Sequence, residues 1–223
     1  MPYSIAIDGP AGAGKSTVAR AVAKELSYIY VDTGAMYRAL GLFFVRKNVD
    51  IRDESAVVAG LPEVNVSIAY AEDGSQQVYL NGEDVSAAIR TQQIGDAAST
   101  VSQYQPVRDK LVALQKQLAS ETSVVMDGRD IGTKVLPHAN LKIYLTASVE
   151  VRARRRALEL QEKGMPAELS QIEKEVAERD YRDMHRENSP LMQADDAVLV
   201  DSSEMTLDET IDRIIALSLG GVK

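Results

Sequence analysis

Residues Gly9-Pro10-Ala11-Gly12-Ala13-Gly14-Lys15-Ser16-Thr17 satisfy the pattern G-x-x-x-x-G-K-[ST], a loop whose backbone N–H groups converge on nucleotide phosphates. Lys15 can reach the β- and γ-phosphates, and the Ser16 hydroxyl can join a Mg²⁺ site. The flanking sequence agrees. Ser4-Ile5-Ala6-Ile7-Asp8 reads as a short buried strand entering the loop, and residues 16–26 leave it as an amphipathic helix with Val18, Val22 and Leu26 on one stripe. That helix aims its positive dipole end at the same anion. A chance glycine-rich turn is the competing reading, and the strand and helix on its correct sides argue against it.

Outward from the loop, short Val/Ile/Tyr-rich strands are expected at 3–8, 28–31, 122–127, 141–146 and 197–201. Helical patterns at 16–27, 34–47, 106–120, 148–163 and 206–218 separate them. Strands alternating with helices predict an α/β fold, a five-stranded parallel sheet flanked by helices. Residues 64–81 break the rhythm: Val64 to Ile68 alternates, Asp73-Gly74 turns and Gln77 to Leu80 returns, a hairpin expected to form a small antiparallel insert over one edge of the cleft. Residues 152–168 carry Arg152, Arg154, Arg155 and Arg156 and then Gly164 and Pro166, which reads as an arginine-rich lid or else as an exposed basic helix and turn.

Composition narrows the class. The chain has 223 residues, enough for one domain with insertions, and it lacks cysteine, which excludes disulfides and thiolate metal sites. No apolar stretch is long enough to span a membrane, and no basic-then-apolar leader opens the chain, so a cytoplasmic protein without membrane partners is expected. A net charge of −8 disfavours nucleic acid as a partner, yet residues 129–156 hold seven Lys/Arg against two Asp/Glu. Such a basic patch on an acidic chain can focus anions into one cleft. His138 and His185 are the only histidines, so a histidine-based mechanism is not expected.

A phosphate loop serves GTPases, motors and small-molecule kinases alike. The guanine-reading Asn-Lys-x-Asp pattern is absent, whereas several separate arginine clusters exceed the needs of one triphosphate. A second phosphorylated substrate explains them. Asp32-Thr33-Gly34-Ala35-Met36-Tyr37-Arg38 follows the second strand, and Ser99 and Arg108 flank another helix start. Asp127-Gly128-Arg129-Asp130 ends the third strand at the ligand-binding edge, and Arg179, Asp183 and Arg186 share one helical face by spacing.

Through these motifs the chain resembles the bacterial-type cytidylate kinases. The matching segments are GPAGAGKST, DTGAMYRA (32–39), IRTQ (89–92), the AAS and VR that place Ser99 and Arg108, DGRDIGT (127–133), LKIYLTAS (141–148) and ERDYRDMHR (178–186) with Ser189-Pro190-Leu191. The likeness runs along essentially the whole chain, hairpin insert included. It implies one kinase domain over 1–223: a core of 1–33, 91–150 and 169–223, a nucleoside-monophosphate-binding region with the insert at 34–90, and a lid at 151–168. It implies transfer of a phosphoryl group from ATP to CMP or dCMP with Mg²⁺ held near Ser16, by a protein expected to be a monomer.

Carried over residue by residue, the loop from Gly9 to Thr17 would bind ATP, and Lys15, Arg129 and the lid arginines Arg152 and Arg156 would be catalytic. Arg38 and Arg129 would hold the CMP phosphate, since guanidinium forks suit phosphate. Ser99, Arg108, Asp130 and Arg186 would surround cytosine, Arg179 and Asp183 would read the sugar, and Thr33 would touch the nucleotide. Asp32 is expected to shape the turn before its helix, Asp127 to be a water-mediated magnesium partner, Tyr37 to wall the base, and Asp201 with Ser202 to line adenine. Competing readings are a kinase for UMP or another small acceptor, and a non-catalytic nucleotide sensor. Arg179–Asp183 could also be a mere surface pair, although its base-before-acid order is the less favourable one on a helix.

Overall fold

The computed structural model describes residues 2–72, 74–162 and 164–220. Its sheet holds β1 (Ser4–Asp8), β2 (Ile29–Asp32), β6 (Val124–Gly128), β7 (Leu141–Thr146) and β8 (Val198–Asp201), all parallel, in the order β2-β6-β1-β7-β8. The order reverses direction at β1, whose carboxyl end feeds the phosphate loop, so the ligand crevice of a doubly wound sheet falls there. Alternation along β1 builds both cores: Ile5 and Ile7 pack with Val18 and Val22 of α1 (Lys15–Glu25) and Ile214 of α8 (Leu207–Ser218). Ala6 faces the other layer, with Met36, Leu40 and Phe44 of α2 (Thr33–Arg46).

The expected strands and all five expected helices form, with ends shifted by at most two residues. Three helices go beyond the expected set: α3 (Glu54–Gly60), α4 (Gln92–Val101) and α7 (Leu169–His185), the last foreseen only as the face bearing Arg179 and Asp183. Helix α4 carries its buried stripe on Ile94, Ala97, Ala98 and Val101, half of it alanine, and packs against α2 through small residues. A Cβ on Gly41 of α2 would lie 2.9 Å from the Ala98 nitrogen and 3.2 Å from the Ala97 Cβ, so only glycine admits this approach. Thr91 starts α4 by accepting the Ile94 N–H.

The insert is a three-stranded antiparallel sheet of β3 (Val66–Tyr70), β4 (Gln76–Leu80) and β5 (Glu83–Asp84). Of the turn expected at Asp73-Gly74, Asp73 lies outside the described residues, and Gly74 has φ +78°. The insert covers the open edge of β2. The Gln76 carboxamide accepts the Asp32 N–H (2.8 Å) and donates to the Asp32 carbonyl (3.3 Å), while the Tyr70 hydroxyl donates to the Tyr30 carbonyl (3.0 Å). The edge is thereby shielded from strand addition. On the far side, α6 (Val149–Glu162) and α7 pack on each other through a separate small core of Ala153, Ala157, Ile172 and Val176.

Candidate active site

A cleft of about 740 Å³ opens over the carboxyl ends of β1, β2 and β6. Ala11 to Thr17 of the phosphate loop line one end, and Thr33, Arg38, Ser99, Arg108, Arg129, Asp130, Arg179, Asp183 and Arg186 line the rest. Gly9 and Pro10 shape the loop from behind. At Gly9, with φ +150°, any Cβ would collide with the Leu145 carbonyl oxygen of β7. The Pro10 carbonyl accepts from Lys15 Nζ (2.7 Å). Burial pushes the Lys15 ammonium well below its usual range, and Arg129 adds to the fall against the pull of Asp127 and Asp183.

Ser16 Oγ donates to Asp127 Oδ2 (2.8 Å), and the Tyr30 hydroxyl donates to Asp127 Oδ1 (2.9 Å). Burial, then Asp32, raises the Asp127 carboxyl to about 6, although Lys15 and these two hydrogen bonds oppose the shift. A hydroxyl oriented by a carboxylate is a hard, oxygen-only donor set. Among the described residues no cluster of three or more His, Cys, Asp or Glu could hold a metal alone. The set therefore fits Mg²⁺ that arrives on phosphate oxygens. Asp32 caps α2 by accepting the Ala35 N–H (2.8 Å), as the sequence indicated, and also pairs with Arg90 (3.2 Å). Thr33 Oγ1 is committed to the Asp127 carbonyl (2.7 Å).

Beyond the phosphate loop the wall is built largely of ion pairs. Arg129 Nε donates to Asp183 Oδ2 (2.8 Å). Burial disfavours the Asp183 charge, yet Arg129, through charge and hydrogen bond, and Arg179 hold that carboxyl below the usual range. Arg179 projects from the same helix and is lowered to about 10 by burial and by Arg129. Arg38 donates to the carbonyls of Ile89 (3.0 Å) and Thr91 (3.3 Å), which aims it from α2 across to α4. At the far end Arg108, from α5 (Gln105–Glu121), pairs with Asp130, and Arg186 approaches the other Asp130 oxygen at 3.5 Å. Ser189 ties the two guanidinium groups, accepting from Arg108 Nε at its hydroxyl (3.2 Å) and from Arg186 Nε at its carbonyl (2.6 Å). Arg108 also lies 5.8 Å from the centre of the Tyr37 ring, and the buried Tyr37 hydroxyl has no hydrogen-bond partner.

Several expectations need correction. Arg152 does not line the cleft. Its side chain is buried against the loop, paired with Asp180 (2.7 Å) and donating to the Ala11 and Ala147 carbonyls (2.8 Å each). Among the lid arginines it is Arg155 and Arg156 that face the cleft. Arg186 is not on the helix of Arg179 and Asp183, because α7 ends at His185 and Arg186 is extended (φ −67°, ψ 141°). It reaches Asp130 from a loop instead. Asp201 turns to Ser203 and stays outside the cleft, whereas Ser202 lines it. The Asp130 side chain caps nothing, since the π-helical turn Ile131–Val135 is held by Asp8, which accepts the N–H groups of Ile131 (2.8 Å) and Gly132 (2.7 Å). Asp8, Arg90, Ser102 and Asp180 were not singled out by sequence. Arg90 and Asp180 had a signal, inside the IRTQ and ERDYRDMHR segments.

A parallel sheet switching direction at a phosphate loop, with a second cationic subsite facing that loop, defines a phosphate-loop phosphotransferase that takes two anionic substrates. One solved structure, an uncharacterized protein from Eubacterium ventriosum, shares the fold at a TM-score of 0.54 and 10% identity, over 97% of this chain and 98% of that one. The cytidylate kinase family model matches residues 5–218, and the chain belongs to that family. Proteins named cytidylate kinase from Lactobacillus johnsonii and Bacillus cytotoxicus are 51% and 49% identical to it. The matches cover 94% and 96% of this chain and 91% and 95% of those proteins. One from Caldicellulosiruptor bescii is 46% identical over 99% of this chain and 97% of its own.

Proposed function

We propose that the chain transfers the γ-phosphoryl group of ATP to CMP or dCMP, giving ADP and CDP or dCDP. The observation that carries this reading is one cleft with a phosphate loop at one end and the Arg108–Asp130–Arg186 cluster at the other. Cytosine offers an N4 amino donor and an N3 acceptor. Asp130, its charge balanced by two guanidinium groups, can accept from N4, while Ser99 and the arginines donate to N3 and O2. Arg38 and Arg129 grip the CMP phosphate in the space between, and Arg179 and Asp183 meet the sugar.

The nucleophile is a CMP phosphate oxygen, ionised near neutral pH because its second pKa is about 6. It needs no general base, in keeping with a cleft whose lining includes no histidine. As that oxygen bonds to the γ-phosphorus, the bond to the ADP oxygen breaks. Catalysis then rests on alignment and on neutralising the charge of the moving group. Lys15 turns from the Pro10 carbonyl to the β- and γ-phosphates, whose charge restores its proton affinity. Arg156 swings from Glu159, its partner at 2.7 Å on an exposed face, to the phosphoryl oxygens. Ser16 would help hold Mg²⁺ brought by the nucleotide, and the ion would supply neutralisation of phosphate charge. The insert-bearing segment 34–90 and the lid 151–168 close on the core 1–33, 91–150 and 169–223 around the two nucleotides. A monomer in the cytoplasm is the setting we assign; among the described residues no helix is long and apolar enough to cross a membrane.

A coupled assay of ADP release across CMP, dCMP, UMP, AMP, GMP and shikimate tests this. CMP and dCMP are expected far ahead. Preference for another acceptor removes the cytosine assignment, and binding without turnover leaves a nucleotide sensor.

A further inference from the structure

The tip of the phosphate loop is a glycine-rich backbone, costly to hold in one shape. Within it, Ala11 is gripped at both its N–H and its carbonyl by residues outside the loop. Asp180 Oδ1 accepts the Ala11 N–H (3.1 Å), and Arg152 Nη1 donates to the Ala11 carbonyl (2.8 Å). The two side chains pair with each other at 2.7 Å and are buried, at 4% and 7% exposure. A Cβ on Gly12 would come within 3.3 Å of the Arg152 Cβ, so the arginine stem lies directly against the loop.

Stability alone is a poor reason for such a pair. Burying two charges costs about what their attraction returns, and apolar replacements are often neutral. The lid-helix pairs Arg154–Glu150 and Arg156–Glu159 are exposed, whereas Arg152 and Asp180 are buried and hydrogen-bonded to Ala11. Asp180 also stands three residues before Asp183 on α7, and residues three apart share a helix face, roughly 4.5 Å apart along the axis. One helix face thus holds both the phosphate loop, through Ala11, and Arg129, through Asp183.

We propose that Arg152 and Asp180 are positioning residues, and that α7 sets the spacing between donor and acceptor phosphoryl groups by holding the loop tip and Arg129 from one face. Neither residue touches the reacting atoms. This rests on the kinase reading above.

The test uses the full chain with Asp180→Ala, Asp180→Asn, Arg152→Met and Arg152→Lys, and Arg154→Ala as a surface control. Thermal unfolding, kcat, KM for each substrate and the Kd of a non-hydrolysable ATP analogue are measured. Misplacement of the loop by about 1 Å predicts a kcat loss of roughly 10–100-fold in Asp180→Ala and Arg152→Met, with KM for CMP within about twofold. Asp180→Asn keeps an acceptor for the Ala11 N–H and is expected between wild type and Asp180→Ala in kcat. Should the truncations not fold, Asp180→Asn and Arg152→Lys decide, by whether kcat falls while their Tm persists. A wild-type kcat in the folded variants, whatever their Tm, overturns the proposal, as does a loss seen only in KM for CMP. If wild type itself fails to phosphorylate CMP, the substrate reading falls, and a weakened analogue Kd in Asp180→Ala still reports the pinning.

Discussion

The two ends of the cleft, to which we assign the two nucleotides, are built by opposite means. At the donor end the binding groups are contiguous, Ala11 to Thr17, and mostly backbone, positioned by one strand-to-helix turn. At the acceptor end they are side chains gathered from α2, α4, α5, the segment after β6, α7 and the loop beyond it, with Arg38, Arg108, Arg129, Asp130, Asp183 and Arg186 held by ion pairs or carbonyls. Backbone amides offer the same geometry to any triphosphate, so the donor end is a general device. Paired charges with long-range partners can encode one base, because every unsatisfied group in a buried lattice penalises the wrong ligand. The donor end should therefore fail in rate, and the acceptor end in selectivity and stability.

Removing the one charged side chain of the loop gives the largest expected effect. Lys15→Ala should lower kcat by roughly 10³-fold or more, since electrostatic stabilisation of the transferring phosphoryl group dominates such chemistry. Titration with CMP should give nearly the wild-type Kd. If CMP binding collapses as well, the two ends are not separable in this way.

Arg108→Met attacks the other end through stability. It strips Asp130 of its nearest counter-charge in a buried position, and breaking such pairs costs about 3–5 kcal/mol. The lower part of that range is expected, because Arg186 remains on the second Asp130 oxygen. Urea unfolding would read it; a loss below about 1 kcal/mol would mean that the pair behaves as a surface ion pair.

The same contrast decides what could be read without coordinates. The phosphate loop, β1 and α1 are one local pattern, and the parallel sheet followed from apolar runs such as Leu141 to Leu145. Nothing local links Arg108 to Asp130, or Asp180 to Ala11; those partners are 22 and 169 residues apart. Family likeness pointed to Arg108, Asp130 and Arg186, but likeness assigns a residue to a site and not to a partner. Arg152 shows the consequence: an arginine in a lid-like run next to a phosphate site is the natural choice for the moving phosphoryl, and packing turns it onto the loop backbone instead. Helix α4 has a local signal, Ile94, Ala97, Ala98 and Val101 at helical spacing, but its close approach to Gly41 of α2 has none.

Asp8 joins the two ends, standing one residue before the loop and holding the turn that follows Asp130. Burial raises its carboxyl to about 6 from the usual 3.8, despite the two N–H groups that favour its charge. A carboxyl raised in the folded state binds more protons there than in the unfolded chain between those values. Its contribution to stability is therefore full below about pH 4 and is lost as pH rises through about 6. Relative to Asp8→Asn, the wild type should lose up to about 3 kcal/mol across that window. Parallel unfolding curves at pH 4 and pH 7 for the two proteins give the difference, and a gap that widens in the opposite direction would show that the N–H groups dominate.

The smallest expected effect is the most specific to the acceptor end. Arg186 is held by the Ser189 carbonyl and lies 3.5 Å from Asp130, so its loss leaves Arg108 still paired and the chain folded. What disappears is one donor from the subsite we assign to the base and one of the charges that favour an ionised Asp130. Uracil presents an N3 proton and an O4 acceptor where cytosine presents the reverse, so a weaker lattice rejects UMP less. Arg186→Ala should cut kcat/KM for CMP by roughly 10–100-fold while UMP changes by about threefold or less, narrowing the CMP-to-UMP ratio by about 1–3 kcal/mol in transition-state terms. Equal losses on both substrates would make Arg186 a phosphate or packing residue, and the division between a general donor end and a base-reading acceptor end would have to be drawn elsewhere in the cleft.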